Sequence, residues 1–320
     1  MVPTAEGPPT GLCNLPAGSV SVVIPLYNHA RYISEAVTSV LAQGDILGEL
    51  IVIDDGSIDN SVAIMQKLAS ADTRIRFSSQ INQGAHATIN AGLRQATGTY
   101  LTILNSDDVY LPNRLTRLVE ALAIDEGADL AASALNYIDS AGALIDSPWY
   151  DEALNFYKST HDLGISLING NFLTTTSNFL FRRRLIEEIG LFAPLRYAHD
   201  LDFALRAAVR RRRLTFVDET LLSYRMHSMN TLKEDRTKVS VETAVASAHF
   251  LETLWGGTLP GQAHVNWRRA EQVLDVVERH GMTRAVQLCL IYLRRHPAVS
   301  LETSAILKDQ EFFNILAGCL

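Results

Sequence analysis

The sequence predicts an α/β chain: a mostly parallel central sheet covered by helices on both faces, followed by a helical C-terminal region. Three observations carry that expectation. Short runs such as 20–25 (VSVVIP, apolar but for Ser21) and 50–53 (LIVI, apolar throughout) are separated by amphipathic stretches. Continuous rather than alternating apolarity marks strands buried on both faces, which is the habit of parallel sheets. Two of the predicted strands end in acidic pairs, Asp54-Asp55 and Asp107-Asp108, and from about residue 236 the chain reads almost purely helical.

The elements follow in order. Residues 1–18 contain four of the chain's ten prolines and read as a flexible tail. The strand at 20–25 stops at Pro25, and an amphipathic helix over 30–43 closes near Gly44. A strand at 50–53, a helix at 59–70, a strand at 74–79, a helix at 84–97 and a strand at 100–104 continue the alternation. Pro112 is expected at the first turn of a helix reaching about 126, where its missing N–H costs nothing. Strands are expected at 129–138, 178–182 and 214–226, and helices at 183–189 and 199–212. In the last part Trp267, Ala270, Val273, Leu274 and Val277 recur at helical spacing as one apolar stripe. Gly281 fits a helix C-cap, a second helix runs to about His296 before Pro297, and 312–316 (FFNIL) is too apolar to leave in water. The domain reading is a tail (1–18), an α/β unit (19–231) and a helical region (232–320).

Composition excludes several classes. With 320 residues, 47% hydrophobic and 20% charged, the chain can bury a sizeable core. A net charge of −7 argues against a protein that coats nucleic acid, so no nucleic-acid partner is expected. No apolar run approaches the ~18 residues of a membrane span. The start lacks the basic and apolar regions of a secretory signal, so a cytoplasmic location is expected, with the inner face of the membrane allowed. Cys13, Cys289 and Cys319 are odd in number and far apart, which suits neither a disulfide framework nor a zinc site.

Carboxylates at the carboxyl ends of parallel strands face the crevice where such sheets bind ligands. Adjacent carboxylates repel unless a cation or donor lies between them, and oxygen ligands of this kind suit Mg²⁺ or Mn²⁺. The plainer alternative is that each cluster caps a following helix, through Ser57 or Asp59 in the first case and Asp108 in the second.

The segments 20–28 (VSVVIPLYN), 53–57 (IDDGS), 82–84 (NQG), 96–100 (ATGTY) and 104–112 (LNSDDVYLP) occur in that order, followed by 179–192, 198–203 (AHDLDF) and 224–230 (YRMHSMN). This ordered set resembles the family 2 glycosyltransferases, inverting enzymes of the GT-A fold with a Rossmann-like nucleotide-sugar-binding domain. The resemblance covers residues 19–231 and implies a role for each matching position. Asp55 would accept a hydrogen bond from the donor's base, with Pro25 and Tyr27 lining that pocket and Asp54, Asn82 and Gly84 beside it. Asp107 and Asp108 would hold the metal and diphosphate, with Asp108 the more direct ligand, and His227 would reach the metal or the diphosphate. Asn105 stands where many members carry aspartate, and an amide suits ribose or a water better than a cation. Asp200 would be the general base, with His199 in place of the commoner glutamate before it, and Ile89 stands where an arginine is frequent.

The implied activity is metal-dependent transfer of a hexosyl or related unit, in polysaccharide or glycoconjugate biosynthesis, from a UDP- or dTDP-sugar to a glycan or lipid-linked acceptor. A catalytically silent nucleotide-sugar or glycan binder and a nucleotidyltransferase are the alternatives. Against the latter, no glycine-rich basic loop follows the first strand. His29 and His86 read as loop histidines without a role, Arg182–Arg184 as a solvated face, and Arg210–Arg213 as helix-end charge favoured by the dipole. The C-terminal apolar stripes leave room for a homodimer or for peripheral membrane contact.

Overall fold

The apolar run after Ser19 becomes β1 (Val20–Leu26), which takes parallel neighbours on both sides: β2 (Leu47–Asp54) and β4 (Tyr100–Ile103). Val22, Val23 and Ile24 are consecutive and wholly buried, so both faces of this strand are covered, as continuous apolarity requires. The computed structural model describes residues 19–210, 213–228, 230–256, 267–296 and 303–320. The tail expected over 1–18, Arg211, Arg212 and Pro297 lie outside the described residues.

Between these strands run α1 (Ile33–Leu41), α2 (Ser61–Ala71), β3 (Ile75–Ser79) and α3 (Ala85–Gln95). After β4 come β5 (Val109–Tyr110), α4 (Arg114–Ile124), β6 (Ala128–Ile138) and β7 (Leu144–Ile145). Next are α5 (Pro148–Thr160), α6 (Leu163–Asn169), β8 (Leu180–Arg182), α7 (Arg183–Ile189), α8 (His199–Val209) and β9 (Arg213–Arg225). The sheet runs β3-β2-β1-β4-β8-β6-β9-β5, with β7 on β6. β1 to β4 are mutually parallel, as are β6 and β9, while β8 is antiparallel to both of its neighbours. The helical end consists of α9 (Arg236–Gly256), α10 (Trp267–Arg279), α11 (Thr283–Arg295), α12 (Thr303–Lys308) and α13 (Gln310–Ala317).

A polar tie holds the amino ends of the central strands in register. Glu49 on β2 accepts from Ser21 Oγ (2.8 Å), Thr97 N (2.6 Å) and Arg76 Nη1 (2.7 Å), and Gly98 N donates to Ser21 Oγ (2.8 Å). A Cβ on Gly98 would lie 2.7 Å from Ser21 N, so the ATGTY turn needs glycine for close approach to β1.

Several expectations are corrected here. Pro112 precedes α4 rather than entering it: Asn113 takes the left-handed conformation (φ 64°) and the helix starts at Arg114. Arg182 and Arg183 do not form the expected solvated face, whereas Arg184 is exposed. Arg182 donates to the carbonyls of Leu122 and Ala128, Arg183 to those of Ala96 and Gly98, and Arg184 pairs with buried Asp129. α5 and α6 were not anticipated. α6 is buried at Leu163 to Ile168 between α5, α8 and α10, so its sequence shows no one-sided helical stripe.

The C-terminal apolar faces are covered in part from within the chain. α10 packs on α6, α9 and α11 and buries Ala270, Val273, Val276 and Val277, whereas Trp267 is 69% exposed and stands outside the stripe. Gly281 closes α10 with Met282 N bonded to Val277 O and Gly281 N to Glu278 O, the Schellman pattern. α11 buries Val286, Cys289, Leu290 and Leu293 against α9, which also packs on α8. Ile291 of α11 and Ile315 of α13 remain exposed, at 53% and 48%. Among the described residues, no helix is long and apolar enough to cross a membrane.

Candidate active site

The carboxyl ends of β1, β2 and β4 open into a cavity of about 830 Å³ that reaches the N-terminus of α8. Pro25, Tyr27, Asp55, Asn82, Gly84, Asn105, Asp107 and Asp200, all expected site residues, line it. Asp54, Asp108 and His227 are not part of that wall.

At one end, β2 delivers Asp54 and Asp55 to opposite sides, because successive side chains on a strand alternate. Asp54 turns inward, 2% exposed, and its carboxylate accepts from Ser57 N at 3.2 and 3.3 Å. It shapes the turn after the strand, which corrects its expected place in the donor pocket. Asp55 faces the cavity. Its Oδ1 accepts from Gln80 Nε2 (2.8 Å) and Gln83 N (2.9 Å), and its Oδ2 from Gly84 N (2.8 Å). Gly84 sits at φ 88°, a conformation that favours glycine and lets its N–H aim at the carboxylate. Oδ2 keeps acceptor capacity for one more donor. Tyr27, 47% exposed, offers a ring to the same space. Ile89 is wholly buried and supplies no polar contact to the cavity.

After β4, Asn105 is held at both ends of its amide: Nδ2 donates to Thr175 Oγ1 (2.8 Å) and Oδ1 accepts from Thr176 Oγ1 (3.2 Å). Asp107 faces the cavity. Asp108 is wholly buried and accepts from Ser177 Oγ (2.6 Å) and Arg225 N (3.0 Å). Burial, then the neighbouring Asp107 charge, pushes the Asp108 carboxyl well above the usual range. Of the pair, Asp107 and not Asp108 lines the cavity, against the expectation that Asp108 would be the more direct ligand, and Asp108 instead ties the turn after β4 to Ser177 and to β9.

His227 Nε2 lies 2.9 Å from Asp107 Oδ2 and its ring stacks on Tyr32 (centroids 5.2 Å apart). His29, read from sequence as a loop histidine, joins them. One ligand atom from each of His29, Asp107 and His227 lies within 4.8 Å of the others. Burial lowers the His29 pKa, against the Asp107 charge that raises it, so the ring is neutral near pH 7 and able to ligate. Asp107 and His227 are the residues that would hold the divalent ion implied by the family resemblance, and carboxylate with imidazole suits such an ion.

At the far end, Asp200 lies in the first turn of α8, 9% exposed. Its Oδ1 accepts from Leu201 N (2.7 Å) and its Oδ2 from Asn171 Nδ2 (3.1 Å). Burial raises its pKa to about 6, outweighing those hydrogen bonds. Burial also lowers the His199 pKa, which keeps that imidazole neutral beside the carboxylate. Sequence reasoning missed what holds this end. Glu242 of α9 accepts from Arg196 N (3.1 Å), Tyr197 N (2.6 Å) and Ala198 N (2.9 Å), satisfying amides that lead into α8. Arg196 is also paired with Glu234 through two bonds of 2.9 and 2.8 Å. The only sequence signal was one of several charged residues in α9.

Parallel strands that end at one cavity lined by Asp55, Asp107 and Asp200 make an α/β protein with a ligand site at its strand ends. Residues 21–190 match the profile of glycosyl transferase family 2, and the chain belongs to that family. It is 31% identical over 234 residues to an uncharacterized glycosyltransferase of Nostoc sp., covering 72% of this chain and 71% of that one. It is 27% identical over 226 residues to the glycosyltransferase GlyG of Streptococcus pneumoniae, covering 68% and 73%. The crystal structure of S. aureus TarS in complex with UDP-GlcNAc has the same fold, with TM-score 0.55, 19% identity and coverage of 94% of this chain and 90% of that one. The protein is a glycosyltransferase of GT-A-like fold.

Proposed function

We propose that this enzyme transfers a sugar, with inversion, from a uridine- or thymidine-diphosphate sugar to a hydroxyl of a glycan or lipid-linked acceptor in polysaccharide or glycoconjugate synthesis. The observation that carries this is the single cavity spanned by Asp55, Asp107 and Asp200. Those residues can receive, in order, the base, the diphosphate and the acceptor. That S. aureus TarS takes UDP-GlcNAc and UDP supports the uridine choice.

Each residue then has one task. Asp55 accepts an N–H from the base edge, held for it by the Gln83 and Gly84 amides. When bound at Asp107 and His227, a Mn²⁺ or Mg²⁺ ion supplies charge neutralisation for the diphosphate. The Asp200 carboxylate takes the proton of the acceptor hydroxyl as its oxygen forms the new bond to the anomeric carbon. The bond from that carbon to the phosphate oxygen breaks on the opposite face, with its electron pair leaving on the nucleoside diphosphate. A carboxyl with pKa about 6 is ionised at neutral pH, yet more basic than a free carboxylate, which suits a general base. Leu201 N in the first turn of α8 holds that carboxylate, and Glu242 fastens the segment before the helix through the amides of Arg196, Tyr197 and Ala198.

The test is thermal stability with a panel of nucleotide sugars, with and without Mn²⁺. A ligand at 100 times its Kd adds ~2.7 kcal/mol. Stabilisation by UDP- or dTDP-sugars but not purine ones, followed by slow metal-dependent release of the nucleoside diphosphate, is expected. Equal response to purine sugars, or none to any, would refute the donor assignment.

A further inference from the structure

We infer that His29 is a third protein ligand, which makes the cation site a two-histidine, one-carboxylate centre that binds a first-row transition ion in preference to Mg²⁺, before any nucleotide arrives. This rests on the proposed function for the presence of a cation, but not for the identity of the sugar or acceptor.

The argument starts with where the ring is. His29 follows the end of β1, three residues past Leu26, on a loop fastened at several points. His29 N donates to Ser61 Oγ (3.1 Å), Ala30 N to Asp59 Oδ2 (2.9 Å) and Asn28 N to Ser57 Oγ (2.9 Å). The side chain is fastened too: Nδ1 lies 2.8 Å from Ser106 Oγ, on the residue before Asp107. A hydroxyl on one ring nitrogen is the kind of outer contact that orients a ligating imidazole and fixes which nitrogen meets the ion. Tyr32 packs edge-on against His29 (5.9 Å) and face-on against His227 (5.2 Å), and the two imidazoles stand nearly perpendicular at 5.6 Å. One aromatic ring thus spaces both histidines around Asp107.

Donor chemistry then decides which ion. Mg²⁺ prefers oxygen ligands in tight octahedral geometry and gives up water reluctantly, so two imidazoles serve it poorly. Mn²⁺, Co²⁺ and Zn²⁺ accept imidazole nitrogen together with carboxylate. Three protein ligands leave the remaining positions of an octahedral ion for water or diphosphate oxygens. Three ligands also hold an ion without help from a nucleotide, whereas one or two carboxylates usually need substrate phosphates.

The experiment is Mn²⁺ uptake by the full chain without nucleotide, read from loss of the free-ion EPR signal. The wild-type protein is expected to take up one Mn²⁺ per chain, undisplaced by a tenfold excess of Mg²⁺. His29→Ala is expected to weaken uptake by at least about tenfold, as loss of even an outer contact to a metal ligand does. Unchanged uptake in His29→Ala, displacement by equal Mg²⁺, or no uptake until UDP is added would each overturn the inference. The competition with Mg²⁺ uses only the wild-type protein, so it decides the matter even if the variant does not fold. UDP stabilisation in Mg²⁺ alone is read separately and tests the donor reading instead.

Discussion

Asp200→Asn is expected to abolish transfer and, at neutral pH, to make the protein more stable. The Asp200 pKa stands at about 6 against 3.8 in its ordinary state, with burial as the cause. Folding therefore favours the protonated form. The sign follows: the wild-type protein loses stability as pH rises from about 4 to about 6, and above that carries a constant deficit. At 1.36 kcal/mol per unit, the deficit is about 3 kcal/mol. A neutral amide of the same shape removes it. Its new N–H₂ also has a partner within reach, because the Oδ1 of Asn171 is buried and unbonded among the described residues. A half-turn of the Asn171 amide presents that oxygen. Urea unfolding at pH 7.5 and at pH 4 measures the effect. The variant should exceed wild type by about 2–3 kcal/mol at pH 7.5 and by close to nothing at pH 4. Rate should fall by about 10²–10⁴ while UDP-sugar stabilisation persists. A variant less stable than wild type at pH 7.5, or an equal gain at both pH values, would show that the carboxylate is not strained by burial. Near-normal turnover would remove Asp200 as the base.

Further outcomes follow from the same geometry. The wild-type pH–rate profile should rise through about pH 6 and then level, as Asp200 ionises; a flat profile from pH 5 to 8 is incompatible with this base. Asp107→Ala should abolish Mn²⁺ uptake, whereas Asp108→Asn should retain it and be read mainly in stability, since Asp108 serves Ser177 and Arg225 rather than the cavity. Calorimetric Mn²⁺ titration of the two variants separates them, and the reverse pattern would restore Asp108 as the ligand. Glu242→Ala should cost on the order of 3 kcal/mol by orphaning three amides, and should lower kcat more than donor binding, because the Asp200 helix loses its anchor. Equal kcat in that variant would detach α9 from catalysis. Gly98→Ala should cost about 1–3 kcal/mol in urea unfolding, because the added Cβ meets the Ser21 backbone at 2.7 Å; an unchanged midpoint would refute the close approach.

The sequence by itself determined the alternation of strands and helices from Val20 to Ile103, because the central strands are largely apolar runs and the helices between them are amphipathic; beyond that it missed α5 and α6. It also determined that carboxylates stand at strand ends, since the acidic pairs directly follow the apolar runs. Which member of each pair meets the cavity was a tertiary matter. Asp55 faces it and Asp54 does not, and Asp107 faces it and Asp108 does not, because the decision lies in a strand's pleat and in partners as distant as Ser177 and Arg225. His29 and His227 are 198 positions apart and meet only because β9 returns beside β5, over Asp107. Glu242 was equally invisible, one of several charged residues in α9, whose partners are backbone amides that carry no sequence signature. Period and polarity are local properties and can be read from neighbours along the chain. Side-chain direction at a site depends on long-range packing, and only the folded chain contains that information.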